Sequence, residues 1–262
     1  MNLRTVSATR YVTPLREGGS LPAIVEADDD GTYVLKFRGA GQGARALIAE
    51  LLSGEIARFL GLKVPALVFI ELDPALARTE PDPEIQDLIK ASAGLNLALD
   101  YLPGSITFDP LVPKPIADKP ELAAQIVWLD AFTTNIDRTA RNPNLLVWHK
   151  ELWLIDHGAS LYFHHGWDNV LARSQTHFPA IENHVLLPFA GDILAVDAEF
   201  ASRLNAGVLR EIVELIPESW LGDVEHFAEI EAHRAAYVEY LLKRLEAPRA
   251  FAKEANDARL HL

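Results

Sequence analysis

The stretch that decides the fold runs from residue 135 to 158: Asn135-Ile-Asp137-Arg-Thr-Ala-Arg-Asn142, an apolar segment, then Leu154-Ile-Asp156-His-Gly158. The apolar segment reads Leu-Leu-Val-Trp at 145–148 and Leu-Trp-Leu-Ile at 152–155. These aliphatic and aromatic types suit half-buried strands. We therefore predict a β-hairpin with its turn at Lys150, placed between an Asp/Asn motif and an Asp-x-Gly motif.

The spacing of these polar residues indicates phosphoryl-transfer chemistry. Asp137 and Asn142 stand five positions apart, the separation between the base and the metal-binding amide of a kinase catalytic loop. Asp156 follows the second strand, where a further metal-binding carboxylate is needed. Because each motif alone also occurs by chance or as an ordinary turn, the interpretation depends on matching elements upstream.

Composition limits the possible partners. The chain has 262 residues, enough for one large or two modest domains, and carries a formal net charge of −13 without any cysteine. Such a charge disfavours nucleic acid and anionic membranes as partners, and a nucleotide would have to arrive with its metal. Disulfides and cysteine-based zinc sites are excluded. We find no signal peptide and no apolar run of about 18 residues, so we expect a cytoplasmic location.

A glycine-rich loop lies between the first two predicted strands, at 4–12 and 23–27. It contains Gly18, Gly19 and Ser20. Glycines let backbone N–H groups approach nucleotide phosphates closely. The same two glycines could instead form a simple hairpin turn.

A lysine and two glutamates form the next candidate constellation. Lys36 lies on a predicted strand at 32–37, either as its solvent-facing residue or as a phosphate-binding lysine. The following helix, predicted at 44–60 and ended by Gly61, carries Glu50 and Glu55. Helical geometry alone slightly favours Glu55 as the partner of Lys36, and at this point the choice stays open.

Two further strands, at 66–72 and 95–101, flank an acidic excursion with one short helix near 84–91. The second strand ends at Leu102-Pro-Gly-Ser, which predicts a boundary between an N-lobe at 1–104 and a C-lobe at 105–262. Backbone groups near Leu99 and Tyr101 would then meet an adenine edge, although an ordinary turn also explains this sequence.

The rest of the chain is predicted to be mainly helical. A proline-rich loop at 109–120 precedes a helix at 121–133 that leads into the Asp/Asn motif. Later helices are predicted at 197–204, 206–216 and 224–245, with a frayed end beyond Pro248. His164 and His165 are adjacent and do not suit one metal ion.

Taken in order, these motifs resemble the HipA-like kinase family, whose wider relatives include phosphoinositide-kinase-like enzymes. The resemblance rests on the Gly18-Gly19-Ser20 loop, Tyr33-Val-Leu-Lys36-Phe, Ala49-Glu50 ahead of Leu60-Gly-Leu-Lys-Val-Pro65, and the two motifs quoted first. It covers most of the chain. It implies an α+β, bilobal, protein-kinase-like fold with a β-rich N-lobe and a mainly helical C-lobe.

The resemblance also implies roles for individual residues. Asp137 would be the catalytic base, Asn142 and Asp156 the Mg²⁺ ligands, and Lys36 the lysine that binds the phosphates of ATP. Glu50 would be the helix glutamate, because its distance from Gly61 and Pro65 matches the family pattern.

Two departures from the family pattern bear on function. Thr139 stands where many relatives have a histidine. If that histidine stabilises charge on the transferred phosphoryl, activity could be lower here, or Arg138 or Arg141 could stabilise the charge instead. We count Arg138 as catalytic. The chain also has no room for the additional N-terminal domain of full-length HipA toxins, so we expect no toxin–antitoxin role.

The leading hypothesis is an ATP- and Mg²⁺-dependent phosphotransferase acting on a Ser or Thr hydroxyl of a protein. One alternative is a nucleotide-binding pseudokinase or interaction module. The other is a small-molecule kinase or an AMP transferase on the same fold.

Overall fold

The structure is a computed structural model that describes residues 2–15, 21–222 and 225–262. Its first part is a closed barrel of five strands in the order β1-β2-β3-β5-β4. Neighbouring strands are antiparallel, and the parallel pair β1–β4 closes the barrel. The strands are β1 Thr5–Pro14, β2 Ala23–Ala27, β3 Thr32–Lys36, β4 Leu67–Leu72 and β5 Gly94–Asp100.

Alternation of side chains fills the barrel. In β2 and β3 every second residue is buried, and Val25 and Leu35 point into a core that also contains Ile70. The excursion between β4 and β5 carries helix α2 (Pro83–Ala91), whose Ile85 and Ile89 join this core. The predicted strands and the short helix are therefore present.

Helices dominate the rest of the chain. They are α3 Pro120–Thr133, α4 Val170–Arg173, α5 Ile193–Arg203, α6 Ala206–Val213, α7 Ile230–Leu245 and α8 Ala250–Leu260. A small antiparallel sheet contains β6 Ile106–Thr107, β7 Leu145–Trp148 and β8 Glu151–Leu154. His149 and Lys150 join β7 to β8 with φ values of 49° and 66°. Positive φ at both positions is the type I′ geometry that fits a two-residue hairpin, and the predicted hairpin is confirmed.

Helix α1 (Ala44–Leu60) connects the two parts of the molecule. It has the predicted bounds and ends at Gly61, whose φ of 92° is the left-handed conformation that glycine adopts easily. Arg203 of α5 donates hydrogen bonds to the carbonyls of Phe59 and Leu60 at 2.8 and 3.1 Å. The last turn of α1 would otherwise leave these carbonyls unpaired. The C-terminal part therefore holds one end of α1.

The larger hydrophobic core also crosses between the two parts, because it contains Leu52 of α1, Leu97 of β5 and Trp128 of α3. The lobe boundary at residue 104 remains a prediction. Among the described residues, no helix is long and apolar enough to span a bilayer.

The C-terminal helices differ from the predictions in several places. Helix α6 ends at Val213 and not at 216, and α7 begins at Ile230 and not at 224. The end of the chain does not fray beyond Pro248, because α8 buries Phe251 with its ring centre 5.5 Å from that of Trp128 and 5.8 Å from that of Phe132. Helix α5 begins four residues earlier than predicted. Asp192 caps it by accepting hydrogen bonds from the N–H groups of residues 194 and 195.

Candidate active site

A cleft of about 970 Å³ lies between the barrel and the C-terminal part. Apolar residues of both parts line it, including Val34 from the barrel and Leu146 and Ile155 from the C-terminal part. A cleft of this volume with a few polar groups suits a small ligand. Five predicted site residues line it: Lys36, Leu99, Tyr101, Asn142 and Asp156. Gly18, Gly19 and Ser20 lie outside the described residues.

Lys36 makes ion pairs with two carboxylates. Its Nζ lies 2.6 Å from Oδ1 of Asp156 and 3.5 Å from Oε2 of Glu50. Glu55 instead pairs with Arg58 at 2.9 Å, so the structure selects Glu50 as the glutamate that faces Lys36. Strand β3 supplies the lysine, α1 the glutamate, and the segment after β8 the aspartate.

Burial and charge act against each other in this cluster. Burial opposes the charged form of Lys36, but Glu50 and Asp156 outweigh it and raise the pKa of the lysine. Burial raises the pKa of Glu50 despite the nearby ammonium group. Burial would also raise the pKa of Asp156, but Lys36 reverses that effect and lowers it. One ammonium group therefore serves two carboxylates, and when both are ionised the cluster keeps an excess negative charge.

Amide groups surround the carboxylate of Asp137. Its Oδ2 accepts hydrogen bonds from Nδ2 of Asn142 at 2.8 Å and Nδ2 of Asn144 at 3.2 Å. Its backbone N–H donates to Oδ1 of Asn135 at 3.1 Å. The spacing of the motif predicts Asn142 as a site residue, but it does not predict Asn144 or Asn135. The repeat of asparagine in Asn142-Pro-Asn144 was the available signal.

Thr139 has a local role in the catalytic loop. Its N–H donates to the carbonyl of Asn142 at 3.0 Å, and its hydroxyl accepts from the N–H of Asn142 at 3.3 Å. Thr139 thus closes the turn between Asp137 and Asn142.

The position of Arg138 corrects the prediction that it acts in catalysis. Its side chain is fully buried and donates to Oδ2 of Asp130 at 2.6 Å. The guanidinium also donates to the carbonyls of Asn144 and Ile155 and lies 3.3 Å from Nδ1 of His157. Because its side chain is completely buried and is not part of the cleft lining, Arg138 joins the catalytic loop to the hairpin and does not reach the cleft.

Asp130 organises this buried region. It accepts hydrogen bonds from Arg138, from Asn135 at 3.0 Å and from Nε2 of His184 at 2.9 Å. The N–H of Leu186 donates to Nδ1 of His184, which places the imidazole proton on Nε2. Burial alone would raise the pKa of Asp130, but Arg138 and His184 lower it below its usual value. No spacing or periodicity in the sequence signals this network.

His157 follows Asp156 and is also buried. Burial and the positive charge of Arg138 lower its pKa to about 3, so the imidazole is neutral at physiological pH. Its Nδ1 lies towards the guanidinium of Arg138.

The predicted hinge lies at the edge of the cleft, with one correction. Leu99 and Tyr101 line the cleft, but the N–H of Tyr101 donates to the carbonyl of Thr32 at 3.0 Å and that of Asp100 to Ala66 at 2.8 Å. These two N–H groups already donate hydrogen bonds within the protein, so an adenine base would contact the hinge through other groups.

Asn142 and Asp156 suit a Mg²⁺ ion. Both present oxygen atoms, which this ion prefers, and one or two protein ligands suffice where substrate phosphates and water complete the shell. The amide oxygen of Asn142 is distinct from the nitrogen that bonds Asp137. The side chain of Asp156 is 38% exposed, and its left-handed backbone, with φ of 56°, is one that aspartate tolerates.

A strand barrel with a Lys–Glu pair, set against a helical part with an Asp–Asn loop and a second Asp, defines a bilobal α+β fold of the protein-kinase type. The chain belongs to the HipA-like kinase family, whose model matches residues 9–253. The family expectation from the sequence is therefore confirmed.

One solved structure agrees with this fold. The chain is similar to the Helicobacter pylori proinflammatory kinase CtkA, with a TM-score of 0.55 and 13% identity over 99% of this chain and 98% of that one. A Golgi casein kinase with Mn/ADP bound has a TM-score of 0.46 and 12% identity over 95% of this chain and 74% of that one. A search of curated proteins found no match.

Proposed function

We propose that this kinase-type phosphotransferase uses ATP with Mg²⁺ and phosphorylates a Ser or Thr hydroxyl of a protein. The observation that carries the proposal is the cleft itself. Lys36 and Asp156 are ion-paired at its wall, and Asn142, which bonds Asp137, lines the same space.

Each residue then has a task in transfer. Lys36, oriented by Glu50, would hold the phosphates together with the backbone of Gly18, Gly19 and Ser20. Asn142 and Asp156 would hold Mg²⁺, which when bound neutralises phosphate charge.

Asp137 would orient the acceptor hydroxyl and take its proton. The hydroxyl oxygen forms a bond to the γ-phosphorus, the bond from that phosphorus to the bridging oxygen breaks, and ADP leaves. Because both amides bond Oδ2 of Asp137, its Oδ1 is the oxygen proposed to receive the proton.

Charge guides the choice of acceptor. A net charge of −13 favours a neutral or basic acceptor over a polyanion, because like charges repel at long range. We therefore propose a neutral or basic protein as acceptor, with no nucleic acid or membrane partner. The proposed location is the cytoplasm. A small alcohol is the second acceptor to test.

Thermal unfolding with ATP, with and without Mg²⁺, tests the nucleotide site in wild type and in Asp156→Ala. At ligand 100-fold above Kd we expect about 2.7 kcal/mol of stabilisation, which corresponds to a rise in Tm of roughly 5–11 °C. The shift should require Mg²⁺ and disappear in the variant. No shift in wild type at millimolar ATP would overturn the proposal.

Mass spectrometry of acceptors incubated with the enzyme separates the remaining hypotheses. Addition of a phosphoryl group supports the proposal, and addition of an adenylyl group supports AMP transfer. Binding of MgATP without transfer to any acceptor supports a pseudokinase.

A further inference from the structure

Asn144 contacts the proposed base, yet no role has been assigned to it. Its Nδ2 donates to Oδ2 of Asp137 at 3.2 Å, beside the 2.8 Å hydrogen bond from Asn142. Among the described residues, no hydrogen bond to Oδ1 of Asp137 accompanies these two. Two amides on one oxygen thus fix the carboxylate and leave its other oxygen for a substrate.

The two asparagines differ in their surroundings. Both line the cleft, but Asn142 is exposed, whereas Asn144 is only 7% exposed. The proposed Mg²⁺ site requires the amide oxygen of Asn142, while the amide nitrogen of the same side chain bonds Asp137. A side chain with both tasks must compromise between them when the cation binds. Asn144 is not one of the proposed Mg²⁺ ligands, and its amide nitrogen lies against Asp137, 3.2 Å from Oδ2 and 3.5 Å from the backbone carbonyl oxygen.

The backbone of Asn144 is held from two directions. Its carbonyl accepts hydrogen bonds from Arg138 and from the N–H of Ile155, the latter at 3.1 Å. Its φ of 49° is left-handed, a conformation in which asparagine is enriched. Asn144 therefore sits at a fixed point between the base, the buried arginine and the residue that precedes Asp156.

We propose that Asn144 is a positioning residue that holds Oδ2 of Asp137, so that Asn142 can direct its amide oxygen to the cation. This inference rests on the proposed function. It assigns the two amides separate tasks: Asn144 sets the orientation of the base, and Asn142 sets the affinity for the metal.

The test compares Asn144→Gly, Asn144→Asp and Asn142→Ala with wild type. Glycine keeps the left-handed backbone and removes the amide, while aspartate keeps the shape and replaces the donor with a carboxylate. MgATP-dependent turnover is measured at increasing Mg²⁺, and thermal unfolding of each variant shows that it is folded.

We expect both Asn144 variants to lose about 10- to 100-fold in kcat, at the lower end of base effects, with the apparent KM for MgATP and the Mg²⁺ midpoint within twofold of wild type. Asn142→Ala should instead require more Mg²⁺. A general loss of structure would not separate the two residues in this way. Asn144→Asp should be the slower of the two Asn144 variants, because its carboxylate faces that of Asp137.

Two results overturn the inference alone: wild-type kcat in Asn144→Gly, or a Mg²⁺ midpoint that moves in the Asn144 variants as it does in Asn142→Ala. A wild-type protein with neither a MgATP-dependent thermal shift nor turnover overturns the proposed function and this inference together.

Discussion

Two groups of charged residues lie close together in this molecule and behave differently. The cleft cluster contains Lys36, Glu50 and Asp156, and the buried network contains Asp130, Arg138 and His184. The side chains of Asp130 and Arg138 are completely buried, whereas that of Asp156 is 38% exposed. Both groups pair acids with bases, so residue type alone does not distinguish them.

Their hydrogen bonding explains the difference. Each oxygen of Asp130 accepts at least one hydrogen bond at 3.0 Å or less, as a buried charge requires. In the cleft cluster, Glu50 meets Lys36 at 3.5 Å, longer than a charge-assisted hydrogen bond. In the buried network, both oxygens of Asp130 have hydrogen-bond partners within the protein. The cleft cluster has two carboxylates and one ammonium group, and its excess negative charge could bind a cation. We therefore expect the network to control stability and the cleft to control activity.

The largest effect is expected at the proposed base. Asp137→Asn should lower kcat by roughly 10² to 10⁴, because the amide cannot take the acceptor proton. Turnover is measured at saturating MgATP, with exposed Asp118→Asn as the matched control. An unchanged kcat in Asp137→Asn would show that Asp137 is not the base.

Asp130→Ala should destabilise the fold by about 3–5 kcal/mol, because it leaves Arg138 buried without its carboxylate. Urea unfolding measures the loss. Asp156→Asn is the comparison from the cleft cluster, and its effect should stay within about 1 kcal/mol, because asparagine tolerates the left-handed backbone and can still accept a hydrogen bond from Lys36. Equal losses in the two variants would contradict the distinction between the two groups.

Acid should weaken the fold through His157. Its pKa is lowered to about 3 in the folded protein, against about 6.5 when unfolded, so between these values the unfolded chain binds more protons. Stability is then complete above pH 6.5 and falls as pH decreases, by about 2 kcal/mol from pH 6.5 to 5.

His157→Gln should reduce this dependence, and His164 and His184, whose pKa values burial also lowers, should account for the remainder. His177→Gln, which changes an exposed histidine, is the matched control. Asp130, whose pKa is also lowered, loses its contribution at lower pH, below its unfolded value of about 3.9. A slope between pH 6.5 and 5 that is as steep in His157→Gln as in wild type would assign the pH dependence to other groups.

The smallest effect is expected at Arg203, which bonds the last carbonyls of the helix that carries Glu50. Arg203→Ala should cost about 1–2 kcal/mol, because these carbonyls lose a charged donor. Hydrogen exchange should become faster in the last turns of α1. Exposed Arg210→Ala is the control, and identical exchange in both variants would rule out this role for Arg203.

The sequence predicted most elements of the fold because their signals are local. The bounds of β2 and α1 agree with prediction, since alternation and glycine placement depend on neighbouring residues. Helix α8 was missed because its stability comes from the packing of Phe251 against distant aromatic residues. Its own sequence has only two large apolar residues, Phe251 and Leu260, and gave no comparable signal.

The candidate site divides in the same way. The sequence by itself determined the family and the order of the motifs, and through the family resemblance it predicted Lys36, Glu50, Asp137, Asn142 and Asp156 as site residues. Only the tertiary structure showed that Glu50 contacts Lys36 while Glu55 pairs with Arg58, that Arg138 is buried, and that Asn144 reaches Asp137. Each of these depends on which side chains meet when separate segments of the chain pack. The spacing of residues along the chain does not predict which of these side chains meet.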